Sequence, residues 1–217
     1  YNKNIQTKHS PFPVKNLKPN LILANMKKVM IIALSAIFAT TAFAQNPDAL
    51  KQIKKAKAFA EAQQLVAANE ASMTAAEKAQ AYNKLVDIAY DKASKGVATM
   101  QTNRAMEQMG QKANEAVDTK ALYNDIYLCL QNALVCDKFD KQPNDKGKVA
   151  PKFHNSNAAR LAPFRDHLIT AGQEAQGADD TATAAKFYGM YAETGVSDLF
   201  KEVIAAAAKN NPEGIGD

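Results

Sequence analysis

Tryptophan is absent from these 217 residues, cysteine occurs twice and histidine three times. No run of alternating β-branched and polar residues bounded by hairpin turns is found, which argues against a sheet. Cys129 and Cys136 lie seven residues apart in a helical stretch, so their Cα atoms stand ~10.5 Å apart along the axis. A disulfide needs less than ~7 Å, so the two cannot pair while that helix persists. No C-x-x-C occurs, which removes a thioredoxin-like or zinc site, and both cysteines read as small buried apolar groups. Of the histidines, His9 lies near the start; His154 and His167 have no metal-ligand spacing and read as surface residues, with Asp166 beside His167. The segment Asp137–Gly147 lacks the alternating oxygen ligands of a calcium loop. G-x-S-x-G, a glycine-rich phosphate loop and a dinucleotide fingerprint are all missing. Met106 and Met109 form an M-x-x-M pair, a soft set suited to Cu(I), but no Cys or His accompanies them and core packing is the simpler reading. No catalytic, cofactor-binding or metal residue is assigned, and the chain is not expected to be an enzyme.

Long apolar runs are also scarce: there is one. Met26-Lys27-Lys28 is followed by apolar residues from Val29 and by Ala42-Phe43-Ala44 ahead of Gln45. A basic start, a short apolar stretch and an A-x-A site make 26–44 a secretory signal peptide cleaved before Gln45. The run is short for a membrane span, which needs ~20 residues. Nothing else approaches that length, so the mature chain is expected to have no span and to reside in the periplasm. Gln45 is not a cysteine, so lipid anchoring at the cut is not indicated. Residues 1–25 begin with Tyr1 and precede a complete signal; they read as disordered upstream read-through, with Met26 the true start.

Charge of one sign is missing once that leader is set aside. Residues 1–44 hold six of the 27 basic residues and no acid, leaving 21 basic against 22 acidic residues, a formal −1. The basic pI near 9.0 belongs to the leader. A near-neutral mature chain does not invite a nucleic-acid reading.

What is present is helical periodicity, over a length sufficient for one domain with a sizeable core. Asn46 is a candidate N-cap with Pro47 at the first helical position. Ile53, Ala56, Phe59, Ala60, Val66 and Ala67 then share one arc, with Lys51, Lys54, Lys55 and Glu61 opposite as a solvated face. Thr74-Ala75-Ala76-Glu77 fits a capping box. Behind it Tyr82, Leu85, Val86, Ala89, Ala93 and Val97 recur at helical spacing. Past Gly96 the pattern weakens, although Met106, Met109, Ala113 and Ala116 suit a helix. Asp118 or Thr119 caps the most apolar helix, about 120–138, in which Leu122, Tyr123, Ile126, Tyr127, Leu130, Ala133 and Leu134 form a wide stripe. Residues 139–152 read as a solvated loop separating N-terminal hairpins (45–138) from a second helical part (153–217). There one helix from about Asn155, with Pro163 in an early turn, carries Leu161, Phe164, Leu168, Ala171, Gly172 and Ala175. Gly177–Asp180 is a tight turn. A helix with Ala184, Phe187, Tyr188 and Tyr191 ends at Gly195, and a last one carries Leu199, Phe200, Val203, Ile204 and Ala207.

Within 165–198, Gly172, Ala184 and Tyr188 stand at the small, small and aromatic positions of a repeated helix pair, with Leu168 one turn before Gly172. Two helices approach to ~8–10 Å only if small side chains face each other at the crossing. This segment resembles a tetratricopeptide repeat, a 34-residue antiparallel helix pair. Tyr191 replaces that family's usual alanine, and no proline closes the unit at Val196. Together with the signal, the chain is similar to exported tetratricopeptide-repeat proteins of Gram-negative bacteria. That resemblance implies an all-α fold of antiparallel hairpins stacked as an α-solenoid fragment, an array that could continue beyond Asp217, and a protein or peptide bound in its hollow. Arg165, Ile169 and Gln173 are the contact residues it implies. A rival expectation is a helical envelope chaperone holding unfolded outer-membrane clients. No oligomeric state follows from the sequence.

Overall fold

The computed structural model describes residues 48–210, apart from 114 and 145. The signal, its Ala42-X-Ala44 site, Gln45, and the Asn46/Pro47 cap therefore lie outside the described residues. Those described form an all-helical structure without strands. Its helices are α1 (Ala49–Lys55), α2 (Phe59–Asn69), α3 (Ala75–Gln108), α4 (Thr119–Asp140), α5 (His154–Leu161), α6 (Arg165–Gly177), α7 (Thr181–Val196) and α8 (Asp198–Asn210).

Where one N-terminal helix was expected, the chain breaks between α1 and α2, with Ala56 extended at φ −57°, ψ 135°. Burial explains the break. Ile53 and Ala62 are both fully buried, yet nine residues at 100° each would place them on opposite sides of one continuous helix. Breaking at 56–58 lets both face the same small core, with Val66 and with Leu85 and Ile88 of α3. Ala60 and Ala67, placed on the apolar arc by the unbroken reading, are exposed.

The start of α3 is the expected capping box: Glu77 N–H donates to Thr74 Oγ1 at 3.3 Å and Thr74 N–H to Glu77 Oε2 at 2.9 Å. The helix passes straight through Gly96, where an added Cβ would stand 2.8 Å from Leu122 Cδ1. Glycine there admits α4 closely, which outweighs its helix cost of ~1 kcal/mol. Gly110, at φ +73°, ends the run. Gln111 N–H reaches Met106 O and Gly110 N–H reaches Glu107 O, both at 2.9 Å, closing the last turn. Ala113 and Ala116 consequently lie outside any helix and are exposed, contrary to the expected stripe.

Asp118 caps α4 through Ala121 N–H at 3.0 Å. This helix is the centre of the main core. Leu122, Ile126, Cys129, Leu130, Ala133 and Cys136 are buried, and the Cys129 and Cys136 thiols donate to Val86 O (3.8 Å) and Ala79 O (3.3 Å) of α3. Both cysteines are free, and burial pushes their pKa values well above the ordinary thiol range.

Residues 141–153 connect α4 to α5, and Asp140 closes the neck of this loop. Its carboxylate accepts from the backbone N–H groups of Lys152 (2.9 Å), Phe153 (2.7 Å) and His154 (3.1 Å). Asp137 stands beside it, 2.5 Å from His154 Nδ1 and 3.0 Å from Lys141 Nζ. His154 is thus a partly buried, paired residue, not the surface histidine expected. Pro163 sits in a 3₁₀ turn (Ala162–Phe164) that divides the expected single helix into α5 and α6. Proline removes the donor that would continue the helix. Helix α7 runs past Gly195 to Val196, and α8 packs against both α5 and α7. Its Leu199 and Phe200 are buried, Val203 and Ile204 half-buried, and Ala207 exposed.

Candidate functional site

The second hairpin, α6–α7, holds every residue singled out for repeat packing or partner contact. Its turn is built by Asp179, a non-glycine residue at φ +57°. Aspartate tolerates this conformation better than most side chains. Asp180 N–H donates to Ala175 O at 2.9 Å, satisfying the end of α6. The Asp180 side chain then accepts Thr183 N–H at 3.0 Å and starts α7, and the Thr183 side chain together with this backbone bond holds its carboxyl below the usual aspartate range.

Leu168 is fully buried, Gly172 and Ala184 are buried, and Tyr188 is half-buried. Gly172 meets the flat of the Tyr188 ring: a Cβ on Gly172 would lie 2.7 Å from Tyr188 Cζ and nearer still to Cε1. Tyr188 Oη bonds Gln176 Oε1 at 3.3 Å, one turn along α6. Leu168 and Phe187 join the main core, where Phe187 packs edge-on against Tyr123 and Tyr127 of α4.

Of the three residues implied as contacts, Arg165 turns inward along the hairpin. Its Nε donates to Thr194 Oγ1 at 3.0 Å, and its guanidinium lies 4.7 Å from the centroid of the Tyr191 ring. Thr194 is fully buried and donates onward to Met190 O at 2.9 Å. Ile169 is half-buried, and Gln173 is exposed. Ile169, Gln173, Tyr188 and Tyr191 therefore leave apolar and amide surface accessible on a hairpin whose inner side is tightly closed.

Several interactions around this hairpin have no local signal in the sequence. Tyr123 Oη donates to Glu174 Oε1 at 2.9 Å, and burial together with that carboxylate pushes its pKa up to about 12. Lys186 Nζ stands 4.1 Å above the Tyr127 ring and donates to Asn124 Oδ1 at 3.2 Å; burial pulls its pKa down. On the opposite side of α4, Asn157 is almost wholly buried and donates to Asn83 Oδ1 at 3.0 Å. Arg160 reaches Asn157 Oδ1 and Asp87 Oδ1, each at 2.6 Å, fixing α5 against α3. His167 is half-buried; burial lowers its pKa, Asp166 opposes that, and Arg104 adds to it.

Between α3 and residues 115–118 lies an open recess of about 230 Å³ lined by Lys92, Lys95, Thr99, Asp118 and Asp125. Among the described residues no group of three or more His, Cys, Asp or Glu side chains is placed to hold a metal ion. No helix there is long and apolar enough to cross a membrane. No protein family, curated protein or solved structure matches the chain.

Proposed function

We propose that this chain is an exported α-helical protein–protein interaction module of the tetratricopeptide type, which binds a protein or peptide on the α6–α7 hairpin. The observation that carries the reading is the contact of Gly172 with the Tyr188 ring. It joins a small residue on the first helix to an aromatic residue on the second, the pairing that draws such hairpins together. The α3–α4 hairpin supports stacking, because α4 packs on one side against α3 and on another against α6 and α7. A single helix pair cannot bury both its faces, so neighbouring hairpins would complete the core.

Binding surface in this reading comes from the accessible parts of Ile169, Gln173, Tyr188 and Tyr191. Arg165 acts through the hairpin, holding Tyr191 in place, and is a poor choice for a contact-deleting mutation. The test is capture of a partner by wild type and by the Ile169→Gln/Gln173→Lys double variant. At least a tenfold loss of captured partner at an unchanged melting temperature is expected; equal capture would remove this surface from the proposal. Export rests on the 26–44 signal, and N-terminal sequencing of the secreted form should begin at Gln45. The chaperone reading gains less, since the exposed large apolar residues among those described, Met109, Val149 and Val196, stand in three separate segments of the chain.

A further inference from the structure

Among the described residues, the 141–153 connection is the longest segment between two α-helices. It is anchored to the body at its neck, by Asp140 and Asp137, while residues 146–152 are all exposed. Exposed loops fixed at their base are the preferred sites of proteolytic cutting, because a protease must draw several residues into extended form.

The lysines of this loop are not equivalent. Lys141 is held in the ion pair with Asp137. Lys152 and the following Phe153 give their N–H groups to Asp140. Lys146 donates its N–H to Asn144 Oδ1 at 3.0 Å and precedes Gly147 at φ +70°, so its peptide bond is bent out of an extended path. Lys148 differs. Residues 148–151 form no turn or helix, and Val149 is 56% exposed, an apolar side chain with no core to fill. Among the described residues Lys148 is held by Asn144: Asn144 Oδ1 accepts its N–H at 3.1 Å, and its carbonyl accepts Asn144 N–H at 2.9 Å.

We propose that the Lys148–Val149 bond is an endoproteolytic processing site for a lysine-directed serine protease, and that the cut chain keeps its fold. Water is added across the amide, leaving a carboxylate on Lys148 and a free amine on Val149. The two pieces stay joined because contacts on both sides of α4 cross the cut. Asn157 binds Asn83, Arg160 binds Asp87, Tyr123 binds Glu174, and Phe187 packs against Tyr123 and Tyr127. Main-core side chains from both pieces are also in mutual contact.

Limited trypsin digestion of the full chain, read by mass spectrometry, tests this. The first cut within residues 48–210 should fall after Lys148, and the two fragments should co-elute in gel filtration without denaturant. Lys148→Gln should slow that cut at least tenfold, and Asn144→Ala should accelerate it several-fold. A first cut within residues 48–210 after any other residue, whether Lys146 or Lys152 of the same loop or Lys112 in the 109–118 connection, or fragments that separate in native buffer, would overturn the proposal.

Discussion

Gly172 lies beneath the Tyr188 ring so closely that the position has no room for a methyl group. Gly172→Ala would gain ~1 kcal/mol of helix propensity, whereas overpacking costs ~1–3 kcal/mol. The ring is half-exposed and can give somewhat, so a net destabilisation of about 1 kcal/mol is expected. In a Tyr188→Ala background the clash is gone, and the same glycine change should stabilise. Denaturant melts of wild type, the two single variants and the double variant check this; a stabilising Gly172→Ala in the wild-type background would contradict the described crossing.

Asn157 and Asp87 both serve Arg160, but unequally. Asn157 is almost wholly buried and bonds residues of α3 and α5, so Asn157→Ala empties its buried site and leaves the partly buried Asn83 and Arg160 short of a partner, at a cost of about 2–3 kcal/mol. The Asp87 side chain is 44% exposed in its ion pair with Arg160, so solvent screening leaves Asp87→Ala about 0.5 kcal/mol. For a domain of this size the first should lower Tm by ~5–10 °C and the second by ~1–2 °C. The reverse order would show that the ion pair, not the buried amide, fixes α5.

Both thiols are buried, and their pKa values are raised, so neither should be a ready nucleophile. Iodoacetamide at mildly alkaline pH should label Cys129 and Cys136 only after denaturant is added. Oxidants should not join them within one folded chain. Rapid labelling in native buffer would mean that α4 separates from α3.

Acid should weaken the fold over two separable pH ranges, an upper one set by His167 and a lower one to which Glu77 and Asp180 both contribute. His167 has a lowered pKa in the folded state, chiefly from burial, so the unfolded chain binds its proton more readily. Stability is then full above the ordinary histidine value (~6.5) and falls as pH drops below it. Glu77 also has a lowered pKa, held by the Thr74 backbone and hydroxyl bonds, and its contribution is lost below the ordinary glutamate value (~4.3). His167→Gln should flatten the upper limb of a stability–pH curve and Glu77→Gln the lower one. If His167→Gln leaves the curve between pH 7 and 5 unaltered, the half-buried imidazole has been misread.

Local rules account for much of this architecture. The Thr74 box, the Asp118 cap, the apolar stripe of α4 and the small residues of the α6–α7 crossing all act within a few residues, so their signals are contained in short windows. What escapes such windows depends on distant partners. Ala56-Lys57-Ala58 has good helix propensity, and only the joint burial of Ile53 and Ala62 breaks it. Ala113 and Ala116 suit a helix that Gly110 has already ended. The inward turn of Arg165 needs Tyr191 and Thr194 on the next helix. Asn157 finds Asn83 across 74 positions, which no periodicity announces.

Because α4 lends side chains to both hairpins at once, neither can be peeled away without baring its Ile126–Ala133 stretch to water. Heat should therefore melt the body in one calorimetric step, and the amides of that stretch should be the last to exchange with deuterium.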